Sequence, residues 1–182
     1  MGSRYLPFVD TMKAAGMALI VWGHVAAASW AQATPPVYGK QLGVAFFVFA
    51  TGFTLARERR SSVRTVYNRY FEILFFGVLS AIVMSAVGVW LWGDPNESNY
   101  LPLAFGVNVF INDFPTNPTT WYIGTYLHVL LLWVAIRRVQ LAPWMIAAGW
   151  LLELGLRATL MQTQGLFVAY MFLPNWLTVF LV

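Results

Sequence analysis

The chain has 182 residues, of which 59% are hydrophobic, 17% aromatic and 10% charged. Soluble globular domains carry roughly 25% charge, so this composition predicts an integral membrane protein and excludes an ordinary soluble enzyme. The net charge of +4 gathers as arginines in short stretches between apolar runs, the pattern of a topology signal rather than of nucleic-acid binding, and the lack of cysteine excludes disulfides, thiolate metal sites and an acyl-cysteine intermediate.

The first apolar run, from about Phe8 to Ala31, is long enough to span a bilayer and carries Asp10, Lys13 and His24. Ionisable groups at membrane depth are costly, which makes this run a functional-site candidate. At about 100° per residue, Lys13 and His24 fall within roughly 20° of each other and Asp10 lies about 60° from Lys13, so the three share a face. His24 sits roughly 16 Å further along that face than Lys13. A cation near one membrane surface and an imidazole well inside suit a long ligand lying between them. Plainer readings compete: a histidine bonding a neighbouring helix, and an Asp/Lys pair neutralising itself near the headgroups. A signal peptide also competes, with Arg4 and Lys13 as its basic region, Ala14 to Gly23 as its apolar region and Ala31-Gln32-Ala33 as its cleavage site. Asp10, and the spans that follow without a soluble domain, speak against it.

After a Pro-containing loop, 33–40, the run Gly43 to Ala56 extends with Gln41 and Leu42 to a second span, with Gly43, Thr51, Gly52 and Thr54 as small or hydroxyl surfaces for close helix packing. Arg57, Arg59, Arg60, Arg64 and Arg69 then crowd one stretch against Glu58, which the positive-inside rule places in the cytoplasm. Beside that topology signal stands a functional reading, a phosphate-binding patch, because guanidinium forks suit phosphate oxygens. A third span runs from about Tyr70 to Trp92. Residues 94–120 read as an external loop whose apolar centre dips toward the membrane, and as a lid. A fourth span, Trp121 to Ile136, ends in the cytoplasmic pair Arg137-Arg138. The fifth, from about Pro143 to Leu160, carries Glu153 and Arg157 at the spacing of an internal ion pair. The sixth starts at about Leu166 and is still apolar at Val182, which leads us to expect a carboxy-terminally incomplete chain. The expected fold is therefore all-α, one polytopic helix bundle over residues 1–182 with about six spans and a cytoplasmic amino terminus.

Soluble-enzyme motifs such as a nucleophile elbow, a Walker loop or paired metal-ligand spacing do not occur, and the only histidines are His24 and His128. His128 shares a helical face with Trp121 and reads first as a packing or bridging residue. No metal is expected.

Two motifs carry a resemblance. Asp10, Lys13, Ala14 and His24 match the spacing of the first-helix motif of membrane-bound acyltransferase family 3, which includes O-acetyltransferases of cell-surface polysaccharides; lysine stands where arginine is usual. Phe46, Phe47, Thr51, Gly52, Phe53 and Leu55, followed by Arg57, resemble its second motif, with threonine for serine. Trp121-Tyr122-Ile123 looks like a later helix start, although Tyr126 stands where an acidic residue is frequent. The match is specific over residues 4–60 and loose to about 136.

The resemblance implies transfer of an acyl group, acetyl above all, from cytoplasmic acyl-CoA to a hydroxyl of an extracytoplasmic glycan or similar acceptor, in a multi-pass protein of the bacterial inner membrane. The arginine-rich mouth, with Lys13, Arg57 and Arg60, would hold the CoA phosphates, and Phe47 and Thr51 would join the cofactor site. His24 would act as general base, for which an imidazole near its ordinary pKa of about 6.5 is suited, and Asp10 would hold Lys13 in position. The truncated chain alone is expected to be inactive. The rival from another class is an ion- or proton-coupled transporter or channel module using the Asp10, Lys13 and His24 face, and a third is a purely structural membrane subunit.

Overall fold

The computed structural model describes residues 6–29, 37–93, 100–111 and 120–182. The described residues are mostly helical and form no strands, as an all-α fold requires. Within the expected single domain two compact units separate, one of residues 1–57 with 178–182, the other of residues 58–177.

In the first unit, helix α1 (Pro7–Ser29) and helix α2 (Val37–Ala56) form an antiparallel hairpin. Proline at the first helical position costs no hydrogen bond, and Asp10 in the first turn suits the positive end of the helix dipole. Val9, Gly16 and Gly23, each one heptad from the next, are buried and form the seam against α2. At its centre the two backbones touch: a Cβ on Gly43 would lie 2.6 Å from the Gly16 carbonyl, and one on Gly16 would lie 2.9 Å from the Gly43 carbonyl. Such small-residue contacts replace the hydrophobic drive that a lipid solvent does not supply. Phe8 meets Phe53 edge to face at 4.8 Å nearer the chain ends. Gly52 closes on the Phe180 backbone, at 2.7 Å from a built Cβ.

Helix α2 begins before the expected Gln41, so Lys40 belongs to a helix rather than to the connecting loop; residues 33–36 of that loop lie outside the described residues.

The second unit opens with helix α3 (Ser62–Trp92), which starts well before the expected Tyr70. Ser61 caps it, its hydroxyl accepting the Arg64 N–H at 3.4 Å, and Gly93, at φ 68°, ends it in the left-handed conformation that glycine adopts without penalty. Arg64 and Arg69 therefore ride on a helix, and the expected loop shrinks to residues 57–61. Two short helices, α4 (Leu101–Ala104) and α5 (Asn108–Ile111), form the described centre of the 94–120 stretch. That centre is not a free lid. Leu103, Asn108 and Val109 are fully buried, and both helices pack on α6 (Trp121–Ile136). Residues 94–99 and 112–119 lie outside the described residues.

Helix α6 runs antiparallel to α3. Arg137 at its end donates to the Ser62 hydroxyl at 2.6 Å and to the Arg60 carbonyl at 3.2 Å, while Ile123 at its start lies on Gly77. The arginines that open α3 and the Arg137-Arg138 pair thus share one end of this unit. Helix α7 (Pro143–Thr163) follows, slightly longer than expected.

The expected sixth span is broken. It consists of α8 (Leu166–Met171), a 3₁₀ turn (Leu173–Trp176) and α9 (Leu177–Leu181), with Phe172 extended between the first two. Pro174 has no N–H to continue a ladder. The freed carbonyls find side chains instead: Asn175 donates to Ala169, the Trp176 indole to Tyr170 at 3.0 Å, and Thr125 of α6 to Met171 at 2.5 Å. Irregular backbone is tolerated at membrane depth only when its polar groups are satisfied in this way.

Among the described residues, two helices, Gly39–Ala56 and Ser62–Trp92, are long and apolar enough to cross a membrane, and Trp121–Ile136 is a shorter apolar one. Helices α1 and α7 have the length but carry Asp10 with Lys13 and Glu153 with Arg157.

The backbone contact at the α1–α2 seam makes a direct prediction. Gly43→Ala forces an overpacked seam at a cost of about 1–3 kcal/mol and lowers the melting temperature in detergent. Gly155→Ala, with nothing within 4 Å of its built Cβ, leaves that temperature unchanged or raises it.

Candidate active site

Since Val9, Gly16 and Gly23 hold α1 against α2, the neighbouring flank of α1 stays open. Asp10, Lys13 and His24 all lie on it, exposed. The helix is continuous through all three, so the shared face expected from the spacing is present, with Asp10 and Lys13 near one end and His24 toward the other. Among the described residues Asp10 makes no ion pair with Lys13, so no contact shows it holding the ammonium in place.

Arg57 lies at the Lys13 end of the hairpin. Its guanidinium stacks on the Phe53 ring at 3.5 Å and donates to the Phe53 carbonyl at 3.3 Å, which fixes a cation where α2 ends. Arg60 belongs to the other unit. Its side chain is 62% exposed, 3.9 Å from Glu58, whose carboxylate also accepts the Arg60 N–H. Arg69 approaches the same carboxylate at 3.9 Å and hydrogen-bonds the Tyr126 phenol, the residue that stands where an acid is frequent.

Phe47 and Thr51 serve the packing of their own unit. The Phe47 ring edge lies against Gly16, and the buried Thr51 hydroxyl donates to the Phe47 carbonyl at 2.8 Å, one turn back on α2. A threonine so bonded presents little to a ligand.

One charged neighbour of His24 was not found from the sequence. The aliphatic stem of Lys40 lies directly across Gly23, and its charge acts on His24. The sequence signal was partial: Gly23 repeats Gly16 one heptad on, but Lys40 lies only three residues before Gly43 on α2 and reaches Gly23 through the length of its side chain.

His128 differs from His24 in every respect that bears on chemistry. It bonds the Gly106 backbone and packs against Phe110 at 5.1 Å between ring centroids, fastening the α4–α5 turn to α6. Gly106 sits at φ 67° with Leu127 3.0 Å from a built Cβ, so that turn accepts only glycine. Glu153 and Arg157 pair at 2.8 Å as their spacing implies, and Arg157 also donates to the Asn175 carbonyl at 2.7 Å. Among the described residues no three His, Cys, Asp or Glu side chains gather to hold a metal ion.

Compared with known families, the chain matches the model of an acyltransferase domain, that of acyltransferase family 3, over residues 6–182. No curated protein and no solved structure matches it.

The two histidines are separable by stability alone. His128→Ala leaves the Gly106 backbone without its partner, costs about 1–3 kcal/mol and lowers the melting temperature in detergent. His24→Ala, on an open flank, leaves it unchanged.

Proposed function

The chain belongs to acyltransferase family 3, and on that premise we propose that it is a membrane-embedded acyltransferase in which His24 is the general base. The donor is acyl-CoA, acetyl-CoA above all, presented from the cytoplasm, and the acceptor is a hydroxyl of an extracytoplasmic glycan. The observation that carries this reading is the open flank of α1. Of the two histidines, only His24 leaves its imidazole exposed, while His128 is spent on the Gly106 backbone.

In this reading the CoA phosphates sit at the Lys13 and Arg57 end of the hairpin, and the pantetheine arm runs along α1. The roughly 16 Å of helix between Lys13 and His24 gives it its path. The acceptor oxygen attacks the thioester carbonyl carbon as an imidazole nitrogen of His24 takes the hydroxyl proton. The tetrahedral intermediate collapses, the C–S bond breaks, and the proton passes from His24 to the departing sulfur. Asp10, Phe47 and Thr51 have supporting parts: an acid in the first turn of α1, a ring that packs on Gly16 of α1, and a buried hydroxyl bonded one turn back on α2. Arg60 adds to the basic field beside the membrane rather than to a shaped clamp.

Two outcomes test this. With the full-length protein in membranes, His24→Ala loses acyl transfer from acetyl-CoA by a factor of at least about 10², the usual contribution of a positioned base, while expression and melting hold. Wild-type transfer by the variant would remove the base assignment, and ion flux in liposomes without transfer would favour the transport reading. Lys13→Gln and Arg57→Gln raise KM for acetyl-CoA about ten- to hundredfold, since each charge-assisted contact contributes about 1.5–3 kcal/mol, and Lys13→Arg keeps the wild-type value. Identical KM values across these variants would reduce the basic end to a topology signal.

A further inference from the structure

An acyl transfer needs more than a base. As the acceptor oxygen adds to the thioester, the carbonyl π electrons move onto oxygen, and a buried oxyanion without a positive partner is expensive. None of the residues singled out from the sequence supplies that partner near His24. Lys13 lies roughly 16 Å away along α1, and Arg57 lies at the same distant end of the hairpin.

The structure places one cation there. Lys40, half-buried in the first turns of α2, does not extend away from the hairpin: its Cγ, Cδ and Cε all lie against the position where Gly23 lacks a side chain, with Cδ 3.1 Å and Cε 3.2 Å from a built Cβ. Only glycine leaves that channel. The residue after Gly23 is His24, and the Lys40 charge acts on its imidazole. Glycine at 23 and lysine at 40 therefore work as a pair, one providing the groove and the other a guided ammonium.

We propose that Lys40 is a catalytic residue, the cation that stabilises the oxyanion of the tetrahedral intermediate formed at His24, and that Gly23 positions it. This rests on the acyltransferase reading above and names a group of that same site. The electrons balance without a further reagent. His24 holds the acceptor's proton, Lys40 faces the negative carbonyl oxygen, and on collapse the C=O bond re-forms, the C–S bond breaks and His24 protonates the CoA sulfur. In this scheme Lys40 stabilises charge and exchanges no proton.

The experiment follows CoA thiol released from acetyl-CoA by the full-length protein in membranes, with a methyl glycoside as acceptor. Lys40→Met is expected to lower kcat by about 10²–10³, the usual effect of losing one oxyanion donor, with KM for acetyl-CoA within about twofold of wild type. Lys40→Arg restores most of kcat. Gly23→Ala, which fills the channel and pushes an intact lysine aside, lowers kcat as well. A Lys40→Met enzyme with wild-type kcat beside an inactive His24→Ala enzyme would make Lys40 an interfacial lysine only and overturn the proposal while leaving the acyltransferase reading in place. A loss that appears in KM alone, or that Lys40→Arg does not relieve, overturns it too. Absence of thiol release by wild type, against release by no variant, would fail the underlying reading and the proposal together.

Discussion

The contact on which the candidate site depends is the meeting of two backbones at Gly16 and Gly43. Because neither residue has a Cβ, α1 and α2 approach to within the reach of a carbonyl oxygen, and the register of the hairpin follows. One heptad further along α1, Gly23 lies under the stem of Lys40, whose side chain reaches beyond its own position on α2; one heptad back, Val9 enters the same buried seam. The rotation it imposes on α1 matters as much. A helix has room for one packed seam and one open flank, and with the glycines facing α2 the acid, the ammonium and the imidazole are left on the flank.

The second unit solves a different problem, that of an interrupted helix in an apolar setting. The carbonyls of Ala169, Tyr170 and Met171 would be orphaned where α8 stops, and each is met by a side chain from a different place: Asn175 just beyond the break, Trp176 beside it, and Thr125 on α6. An unmet buried carbonyl costs about 1–3 kcal/mol, so three satisfied ones explain why this segment bends rather than continuing as a plain span. Arg157 joins the same break through the Asn175 carbonyl. The charged pair with Glu153 is thus an anchor for the turn, which accounts for two charges on an otherwise apolar helix.

The helix α6 and the start of α1 were legible from hydropathy, because both depend on a local feature, a continuous apolar run. The seam was half legible, since Gly43 and Gly52 were read as close-packing surfaces but Gly16 and Gly23 were not paired with anything. What hydropathy misses is polar helix. Lys40, Arg64 and Arg69 look like loop because they are charged, yet capping by Ser61 and pairing with Glu58 and Tyr126 make helix the cheaper state for the last two. The break after α8 was hidden for the opposite reason: its sequence is apolar enough for a span, and only Pro174 with Asn175 signals that the ladder is exchanged for side-chain bonds. Of the residues assigned to the site in advance, the ones fixed by helical spacing share a face as expected. Of those assigned by motif alone, Phe47 packs on Gly16 and Thr51 bonds one turn back on its own helix.

The exposed flank of α1 and the exposed face of α3 look alike in accessibility and differ in what can cover them. Along α3, Phe71, Phe75, Phe76, Leu79 and Ile82 present an apolar surface that a lipid chain covers without cost. On α1 the same degree of exposure falls on Asp10, Lys13 and His24. A carboxylate or ammonium at the centre of a span costs about 2.5–3.5 kcal/mol in hydrocarbon, less toward the ends of the helix, so lipid is the wrong cover for this flank. Water or a polar ligand is the cover that removes the cost. A ligand with phosphates at one end and a reactive carbonyl at the other would meet Lys13 and Arg57 first and His24 with Lys40 last. The order of those groups along the hairpin therefore gives the flank a direction as well as a polarity, which the proposed acyl-CoA would match.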